Sequence, residues 1–476
     1  MNEQANAAKP REDVFQITID GRALEVPKKP GLTIIQVCDA EGIEVPRFCY
    51  HPHLTIPANC RMCLVEVEGA PKLMPACHTG LRDGMVVHTR SDRVKAAQEA
   101  VLEFLLVNHP VDCPICDQAG ECPLQDQYFK YDRRPSRVGD PVRKVKKAKH
   151  VQVGPRVTLD QERCVLCTRC IRFMDEVAKE PQLGMFWRND HAYVDTFPGQ
   201  PLTSNYSLNT VAICPVGALT STDFRFRKRV WNLKSAPTLC DGCARGCNAW
   251  VDRDRDGNEV YRYRARENEA VNRVWMCDQG FLSYKAHNER RVLAAREGRG
   301  AAAKVGRSYE VAARTAERLR TLEGEAGLLV SACASTEDIL ATLWVAREVF
   351  GLSRVYEGGR EEGEQDRILL RADRNPNRLG LQIVAEAFGF ELLPFDALLE
   401  AVDDGKVKAL WAVGDEVPVD AQMAAGLFSS LDFFGVQARH RGPLTEVADV
   451  VLPAATHAST TGPSSTSWGG CSASGR

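Results

Sequence analysis

The first ninety residues alternate apolar and polar positions in short runs, a pattern typical of a small β-rich domain. The turn signal Asp20-Gly21 separates two such runs and predicts a β-hairpin. After Thr33 the period becomes helical, because Ile34 and Val37 fall on one face and Gly42 ends the pattern. The expected elements are strands at 14–19, 23–27, 64–69 and 85–89, with one helix that begins at residue 34.

A longer helix should follow, and the second half of the chain reads as an α/β domain. Ser91 is suited to cap a helix whose apolar residues recur at helical spacing until Asn108-His109-Pro110. After residue 292, apolar runs at 328–330 and 409–413 alternate with a helical stretch at 336–350. This alternation predicts strands and helices packed as an α/β domain.

Composition and charge exclude several classes of protein. The 61 Lys and Arg residues nearly cancel the 63 Asp and Glu residues, so global binding of nucleic acid is not expected. A local basic stretch at 130–149 is interpreted as a solvated connector or as a surface that docks on an acidic neighbour. No apolar run is long enough to span a membrane, and the charged N-terminal residues do not form a secretion signal. We therefore expect membrane association only through a partner, and thiols rather than disulfides.

The clearest chemical signal is the 18 cysteines, of which 16 lie between Cys38 and Cys277. Cys38 falls on the apolar helix face and is expected to be a packed thiol. Cys333 and Cys471 receive no role. The other 15 cysteines and one histidine divide by spacing into four sets of four.

The first set lies in loops of the small sheet domain and consists of Cys49, Cys60, Cys63 and Cys77. Four thiolates from loops around a β-rich fold suit a [2Fe-2S] cluster, although the first gap, of ten residues, is longer than in plant-type ferredoxins.

The second set contains a histidine and consists of His109, Cys113, Cys116 and Cys122. Three close cysteines need a fourth ligand to hold a [4Fe-4S] cube, and His109 fills that position. An isolated histidine at a helix end would more simply cap carbonyl groups. A neutral imidazole in place of a thiolate should raise the cluster potential.

The third and fourth sets also predict [4Fe-4S] sites. The third consists of Cys164, Cys167, Cys170 and Cys214. Three cysteines within seven residues, completed by a distant Cys-Pro, follow the pattern of bacterial ferredoxins, whereas structural zinc more often takes paired C-x2-C units. The fourth consists of Cys240, Cys243, Cys247 and Cys277. Alone it could also be a zinc knuckle. One binuclear and three cubane clusters give about 14 irons per chain.

These motifs resemble the large iron-sulfur subunit of bacterial respiratory complex I, the proton-pumping NADH:quinone oxidoreductase. The similarity is carried by RFCYHPHL with NCRMCLVEV and MPACHT, by NHPVDCPICDQAGECPLQD, by CVLCTRCIRF with ICPVGALTS, and by TLCDGCARGCN with VWMCDQG. It runs from about residue 14 to about 456. It implies a multidomain α+β and α/β protein that ends in a molybdopterin-oxidoreductase-like domain without the metal cofactor, and we expect that domain to be truncated here.

The resemblance also implies domains, partners and a location. The implied domains are a [2Fe-2S] β-grasp at 14–90, a one-His, three-Cys [4Fe-4S] segment at 91–130, a ferredoxin-like [4Fe-4S] module at 131–232, a further [4Fe-4S] module at 233–292 and the incomplete α/β domain at 293–457. Electrons from NADH would reach FMN on a partner subunit. They would then pass the [2Fe-2S] site, the Cys164 cubane and the His109 cubane toward further subunits and quinone. The Cys240 cubane would be structural. The complex would lie on the cytoplasmic side of the bacterial inner membrane.

Two alternatives stay open at this point. The first three sets are similar to the electron-transfer parts of NAD-linked hydrogenases and formate dehydrogenases, although these often carry an additional eight-cysteine segment. A scaffold with four zinc sites that binds nucleic acid is the second alternative, favoured by the basic stretch and disfavoured by the CVLCTRC spacing. No dinucleotide, P-loop or Ser-His-Asp motif is found, so no NADH or quinone site is expected on this chain.

The last residues depart from the family pattern. EVADVVLPAATHA resembles a family stretch that normally continues into Gly-Thr-Phe-Val-Asn, but residues 459–476 read STTGPSSTSWGGCSASGR. We interpret residues 458–476 as the product of a shifted reading frame, with a natural disordered terminus as the alternative.

Overall fold

The computed structural model describes residues 13–132, 134–257, 259–322 and 325–456. These residues form two compact units that divide after Val230. Residues 458–476, which we interpret as the product of a shifted reading frame and which include Cys471, lie outside the described residues.

The first unit opens with a five-stranded mixed sheet. Its strands are β1 (Val14–Ile19), β2 (Arg22–Pro27), β3 (Leu64–Val67), β4 (Met74–Pro75) and β5 (Val86–His88). They lie in the order β2-β1-β5-β3-β4. The pair β1 and β2 is the predicted antiparallel hairpin, whereas β1 and β5 run parallel. The strands at 64–69 and 85–89 are confirmed but shorter than predicted, and β4 was not predicted because two residues carry no periodicity.

A short helix packs under this sheet and closes its core. Helix α1 (Ile34–Ala40) follows Thr33, whose backbone N–H donates to Gln36 Oε1 at 2.9 Å. Its buried side chains meet the inward residues Ile17 and Ile19 of β1. Cys38 is fully buried in this core, which confirms the packed thiol, and burial raises the pKa of its thiol to about 12. The sheet and helix fit the predicted β-grasp domain.

The rest of the first unit consists of short elements separated by long loops. They are α2 (Asp92–Val107), α3 (Pro123–Tyr131), β6 (Val151–Gln152), β7 (Val157–Leu159), α4 (Arg169–Glu176), β8 (Gly184–Phe186), β9 (Tyr193–Asp195), α5 (Leu208–Ala212) and β10 (Leu219–Ser221). Helix α2 matches its predicted bounds, and Ser91 Oγ accepts from the Val94 N–H as an N-cap. The long loops leave room for side chains to converge on buried groups.

The basic stretch at 130–149 is paired within the first unit. Arg137 forms a salt bridge with Glu103, and Lys149 lies 2.8 Å from Glu162. Lys144 Nζ donates to the His109 carbonyl at 2.6 Å. These three basic side chains are thus directed at neighbouring parts of the chain.

The second unit begins with a three-stranded antiparallel sheet and continues into an α/β layer structure. The elements before the large sheet are β11 (Leu233–Leu239), β12 (Asn248–Asp254), β13 (Val260–Ala265) and α6 (Asp278–Leu282). The larger part contains β14 (Ala295–Glu297), β15 (Lys304–Gly306), α7 (Ser308–Thr321), β16 (Ala326–Ser331), α8 (Thr336–Glu348), β17 (Val355–Gly358), α9 (Arg378–Ala387), β18 (Leu392–Leu393), α10 (Phe395–Asp403), β19 (Ala409–Val413), α11 (Ala421–Phe428), β20 (Phe433–Ala438), α12 (Pro443–Val447) and β21 (Val450–Pro453).

The large sheet has eight strands and is covered by helices on both faces. Its order is β15-β14-β21-β20-β19-β16-β17-β18, and the six strands from β21 to β18 are parallel. Helices α7, α8 and α9 bury Val311, Leu343 and Leu381 in one core, and α10, α11 and α12 bury Leu398, Phe428 and Leu444 in the other. The predicted α/β pattern after residue 292 is confirmed.

Among the described residues, no helix combines the length and apolar character needed to cross a bilayer.

Candidate metal centres

All cysteines in the described part of the chain are free thiols. The expectation of thiols rather than disulfides is therefore confirmed for these residues. Most of the predicted ligands are buried, and they lie in loops or at the first residues of short helices. Buried, unpaired thiols gathered in loops are the donor set that iron-sulfur clusters require.

The structure brings the four thiols of the first set into mutual contact. The set is Cys49, Cys60, Cys63 and Cys77. Cys49 is hydrogen-bonded to Cys60 and Cys77, and Cys77 is hydrogen-bonded to Cys63. These hydrogen bonds lower the pKa of Cys49 and of Cys63 below their ordinary values and raise those of Cys60 and Cys77. Thiolates are the metal-binding form of cysteine, so the geometry fits a small cluster held by all four.

The second set surrounds an open cavity at the end of α2. The cavity has a volume of about 890 Å³, and its lining includes His109, Cys113 and Cys122. Cys116 is not part of that lining, but its Sγ is buried against Gly217. Burial lowers the pKa of His109 to about 4, so its ring is neutral near pH 7. A neutral imidazole is the form that binds a metal.

The third set lines one narrow cavity, shared by Cys164, Cys167, Cys170 and Cys214. Cys170 projects from the first turn of α4, and Cys214 follows α5. Burial raises the pKa of Cys164 to about 12 and that of Cys167 to about 11. Bound metal ions would reverse this effect, because a coordinating thiol is deprotonated outright.

The fourth set lines a cavity of about 240 Å³ in the second unit, shared by Cys240, Cys243, Cys247 and Cys277. Cys277 caps α6, where its Sγ accepts from the Gly280 N–H at 3.4 Å. A Cβ placed on Gly280 would lie 3.1 Å from Cys240 Sγ and 3.5 Å from Cys277 Sγ. Glycine therefore leaves the space between these two sulfur atoms free.

Each set is accompanied by residues in the left-handed backbone region. They are Ala58 and Arg61 for the first set, Val111 for the second, Leu166 and Thr168 for the third and Gly246 for the fourth. A positive φ is a genuine outlier for a β-branched residue such as Val111. Strain of this kind persists where the surrounding structure imposes it and concentrates in loops that clamp ligands.

Direct contacts join the loops of the second and third sets. Arg163, next to Cys164, donates to both carboxylate oxygens of Asp112, next to Cys113, at 3.0 and 2.7 Å. Gly217, three residues after Cys214, packs against Cys116 Sγ. Neither contact was predicted from the sequence. The sequence did show oppositely charged residues, Asp112 and Arg163, each beside a predicted ligand, and this was the signal that could have indicated the ion pair.

Cys333 is the remaining described cysteine. It is fully buried after β16 and lies 3.4 Å from Asn375 Oδ1. No predicted ligand set includes it.

Three family models match ranges within the first unit. Residues 12–92 match the family model for a 2Fe-2S iron-sulfur cluster binding domain, residues 98–137 that for the NADH-ubiquinone oxidoreductase-G iron-sulfur binding region, and residues 154–220 that for NADH-quinone oxidoreductase subunit 3, ferredoxin-like domain. Each range contains one complete predicted set. The Cys240 set lies outside all three ranges.

Curated bacterial relatives agree with these family models. The chain is 44% identical over 286 residues to the G subunit of NADH-quinone oxidoreductase from Streptomyces coelicolor, covering 60% of this chain and 33% of that protein. It is 38% identical over 368 residues to the corresponding protein of Mycobacterium bovis, covering 76% of this chain and 45% of that protein. The chain is thus similar to the G subunits of NADH-quinone oxidoreductase.

These two relatives are much longer than this chain, which spans between a third and a half of their length. Among solved structures, an NAD+-reducing [NiFe]-hydrogenase in the H2-reduced state matches with a TM-score of 0.41 and 25% identity, over 45% of this chain and 91% of that chain.

Proposed function

We propose that this chain is the electron-transfer iron-sulfur subunit of NADH-quinone oxidoreductase and holds one [2Fe-2S] and three [4Fe-4S] clusters. The observation that carries the proposal is that the free cysteines of three sets contact one another or line one cavity, while His109, Cys113 and Cys122 of the second set line another. Three of the four sets fall within iron-sulfur family ranges. Iron-sulfur clusters accept and donate single electrons, with potentials set by hydrogen bonding, charge and solvent exposure.

The residues of the chain hold, shield and space these centres. Burial of Cys167, Cys170 and Cys247 keeps water from the sulfur atoms, and the left-handed loop residues fix the direction of neighbouring ligands. His109 replaces one thiolate in the second set and removes a negative charge there. We expect this centre to have the higher potential that suits a late acceptor.

The proposed order of electron transfer is the Cys49 set, then the Cys164 set, then the His109 set. Contacts between the loops support it. Asn59 Nδ2, beside Cys60, donates to the Leu166 carbonyl in the third set at 3.3 Å. Gly217 and Arg163 connect the third set to the second. We assign the Cys240 set a structural role, as the family resemblance implies.

We propose no metal cofactor in the α/β domain, which resembles a molybdopterin-binding domain. Ligands of open α/β sheets bind outside the carboxyl ends of the parallel strands. Here those ends carry side chains that pair with one another. Arg439 after β20 forms an ion pair with Glu416 after β19, and His440 Nδ1 lies 3.2 Å from Asp415 Oδ2.

By the same proposal, the chain acts only as part of a complex. An FMN-bearing partner oxidises NADH and delivers electrons, further iron-sulfur subunits carry them to quinone, and the complex couples this transfer to proton translocation at the cytoplasmic side of the bacterial inner membrane.

The test compares the chain alone with the chain bound to its FMN-bearing partner. After anaerobic reconstitution, NADH should leave the isolated chain oxidised and should reduce its clusters in the presence of the partner. Dithionite reduction of the isolated chain is the control for cluster integrity. Reduction of the isolated chain by NADH, or no reduction with the partner present, would contradict the proposed relay.

A further inference from the structure

Helix α4 carries two arginines that reach both the first and the third set. Arg169 and Arg172 are three residues apart, so their side chains leave the same face of the helix. Cys170 lies between them and is a predicted ligand of the third set. The helix therefore links the third set to the groups that accept hydrogen bonds from these two arginines.

Arg172 bridges a predicted ligand of each set. Its Nη2 donates to the Cys49 carbonyl at 2.5 Å and lies 3.4 Å from the Cys167 carbonyl. Its Nη1 donates to the carbonyl of Thr55. Glu176, one turn further along α4, accepts from the Thr55 N–H at 2.8 Å. One side of α4 is thus fastened to the loop that follows Cys49.

Arg169 forms a second bridge between the same loops. Its Nη2 donates to the Tyr50 carbonyl at 2.6 Å, next to Cys49, and its Nη1 donates to the Ile213 carbonyl at 3.2 Å, next to Cys214. The two arginines therefore touch four peptide groups that belong to, or adjoin, predicted ligands. Each guanidinium has rigid, planar donors that fix the separation of the groups it joins.

The charge environment of these arginines differs from that of Arg163. The hydrogen bonds described for Arg169 and Arg172 end on carbonyl and hydroxyl oxygens, whereas Arg163 binds the Asp112 carboxylate. Burial lowers the pKa of both Arg169 and Arg172. A buried charge needs a counter-charge. The Glu176 carboxylate supplies one to Arg172, and Cys167 would supply one to both arginines as a metal-bound thiolate.

We propose that Arg169 and Arg172 are positioning residues that fix the spacing of the Cys49 and Cys164 centres and supply a positive charge shared by both. The inference rests on the proposed ligand sets. A positive charge shared by the two centres would stabilise the reduced form of each. Removal of this charge should therefore lower both midpoint potentials together, which a charge beside only one centre would not do.

The test uses the reconstituted full chain and the variant Arg172→Gln, which shortens the side chain and removes its charge. We expect both clusters to assemble, both midpoint potentials to fall in EPR-monitored redox titrations, and the magnetic interaction between the two reduced clusters to weaken. Arg172→Lys keeps the charge but loses the planar fork. Its potentials should lie closer to the wild type, while its magnetic interaction should still be weakened.

Arg82→Gln is the matched control. Arg82 is exposed and lies five residues after Cys77, outside the loop that binds Arg172, so its loss removes a positive charge without breaking the bridge. It should leave both midpoint potentials and the magnetic interaction unchanged.

The outcomes separate this inference from the proposed function. A wild-type chain that holds zinc, or lacks either cluster, defeats the proposed function before any variant is compared. If the wild type holds both clusters and Arg172→Gln leaves both potentials and the magnetic interaction unchanged, the inference alone is overturned. If Arg172→Gln fails to assemble, Arg172→Lys decides: a weakened interaction supports the bridge, and an interaction equal to that of the wild type overturns it.

Discussion

Replacing Gly217 by alanine should remove one cluster and leave the others in place. Gly217 is buried, and an added Cβ would lie 2.4 Å from Cys116 Sγ and 3.0 Å from Gln118 Cβ. Since ordinary contacts begin near 3.4 Å, the sulfur would have to move by about 1 Å. Metal-site geometry tolerates only about 0.5 Å of such movement. Overpacking of this kind also costs about 1–3 kcal/mol of stability.

The loss should fall on the His109 set, because the clash is with Cys116 and with no thiol of the Cys164 set. We expect about four fewer irons per chain after anaerobic reconstitution, and the disappearance of one cubane EPR signal. Gly139→Ala is the control, since nothing lies within 4 Å of its added Cβ. Both variants reduce the conformational entropy of the unfolded chain by replacing a glycine, so this contribution to stability cancels when the two variants are compared. Full iron content and an unchanged signal in Gly217→Ala would refute the assignment of Cys116 to the cluster.

Three further variants test other parts of the account. His109→Cys should keep a cubane but lower its potential, as measured by EPR titration; an unchanged potential would mean that His109 is not a ligand. Gly280→Ala brings a Cβ within 3.1 Å of Cys240 Sγ, so the Cys240 cluster should release iron to a chelator faster than in the helical control Gly426→Ala; equal rates would count against the site. Cys38→Ala should lower the free energy of unfolding by about 1 kcal/mol while iron content stays constant; lost iron would show that the packed thiol has a second role.

The sequence predicted those helices and ligand sets whose pattern lies within one short, continuous stretch of residues. Helix α2 was predicted to the residue, because Ser91 provides a cap and apolar positions recur to Val107. The spacing within CVLCTRC likewise indicated one site, since three nearby cysteines lie on a single loop and turn. Helix α3, which begins at Pro123, was missed because its nine residues are mostly polar and half-buried.

Contacts between segments that are far apart in the sequence could not be predicted from it. Arg172 and Cys49 are separated by 123 positions, and Arg163 and Asp112 by 51. Neither pair has a periodicity that reveals it, because tertiary packing alone brings the segments together. The ligand types could thus be predicted from spacing, whereas the residues that join one set to the next required the fold.

The most direct test of the central claim is the metal content of the full chain after anaerobic reconstitution, measured together with sulfide and EPR spectra. Four clusters predict about 14 irons per chain, with one binuclear and three cubane centres. Fewer than about 10 irons, or zinc in a stoichiometric amount, would contradict the account.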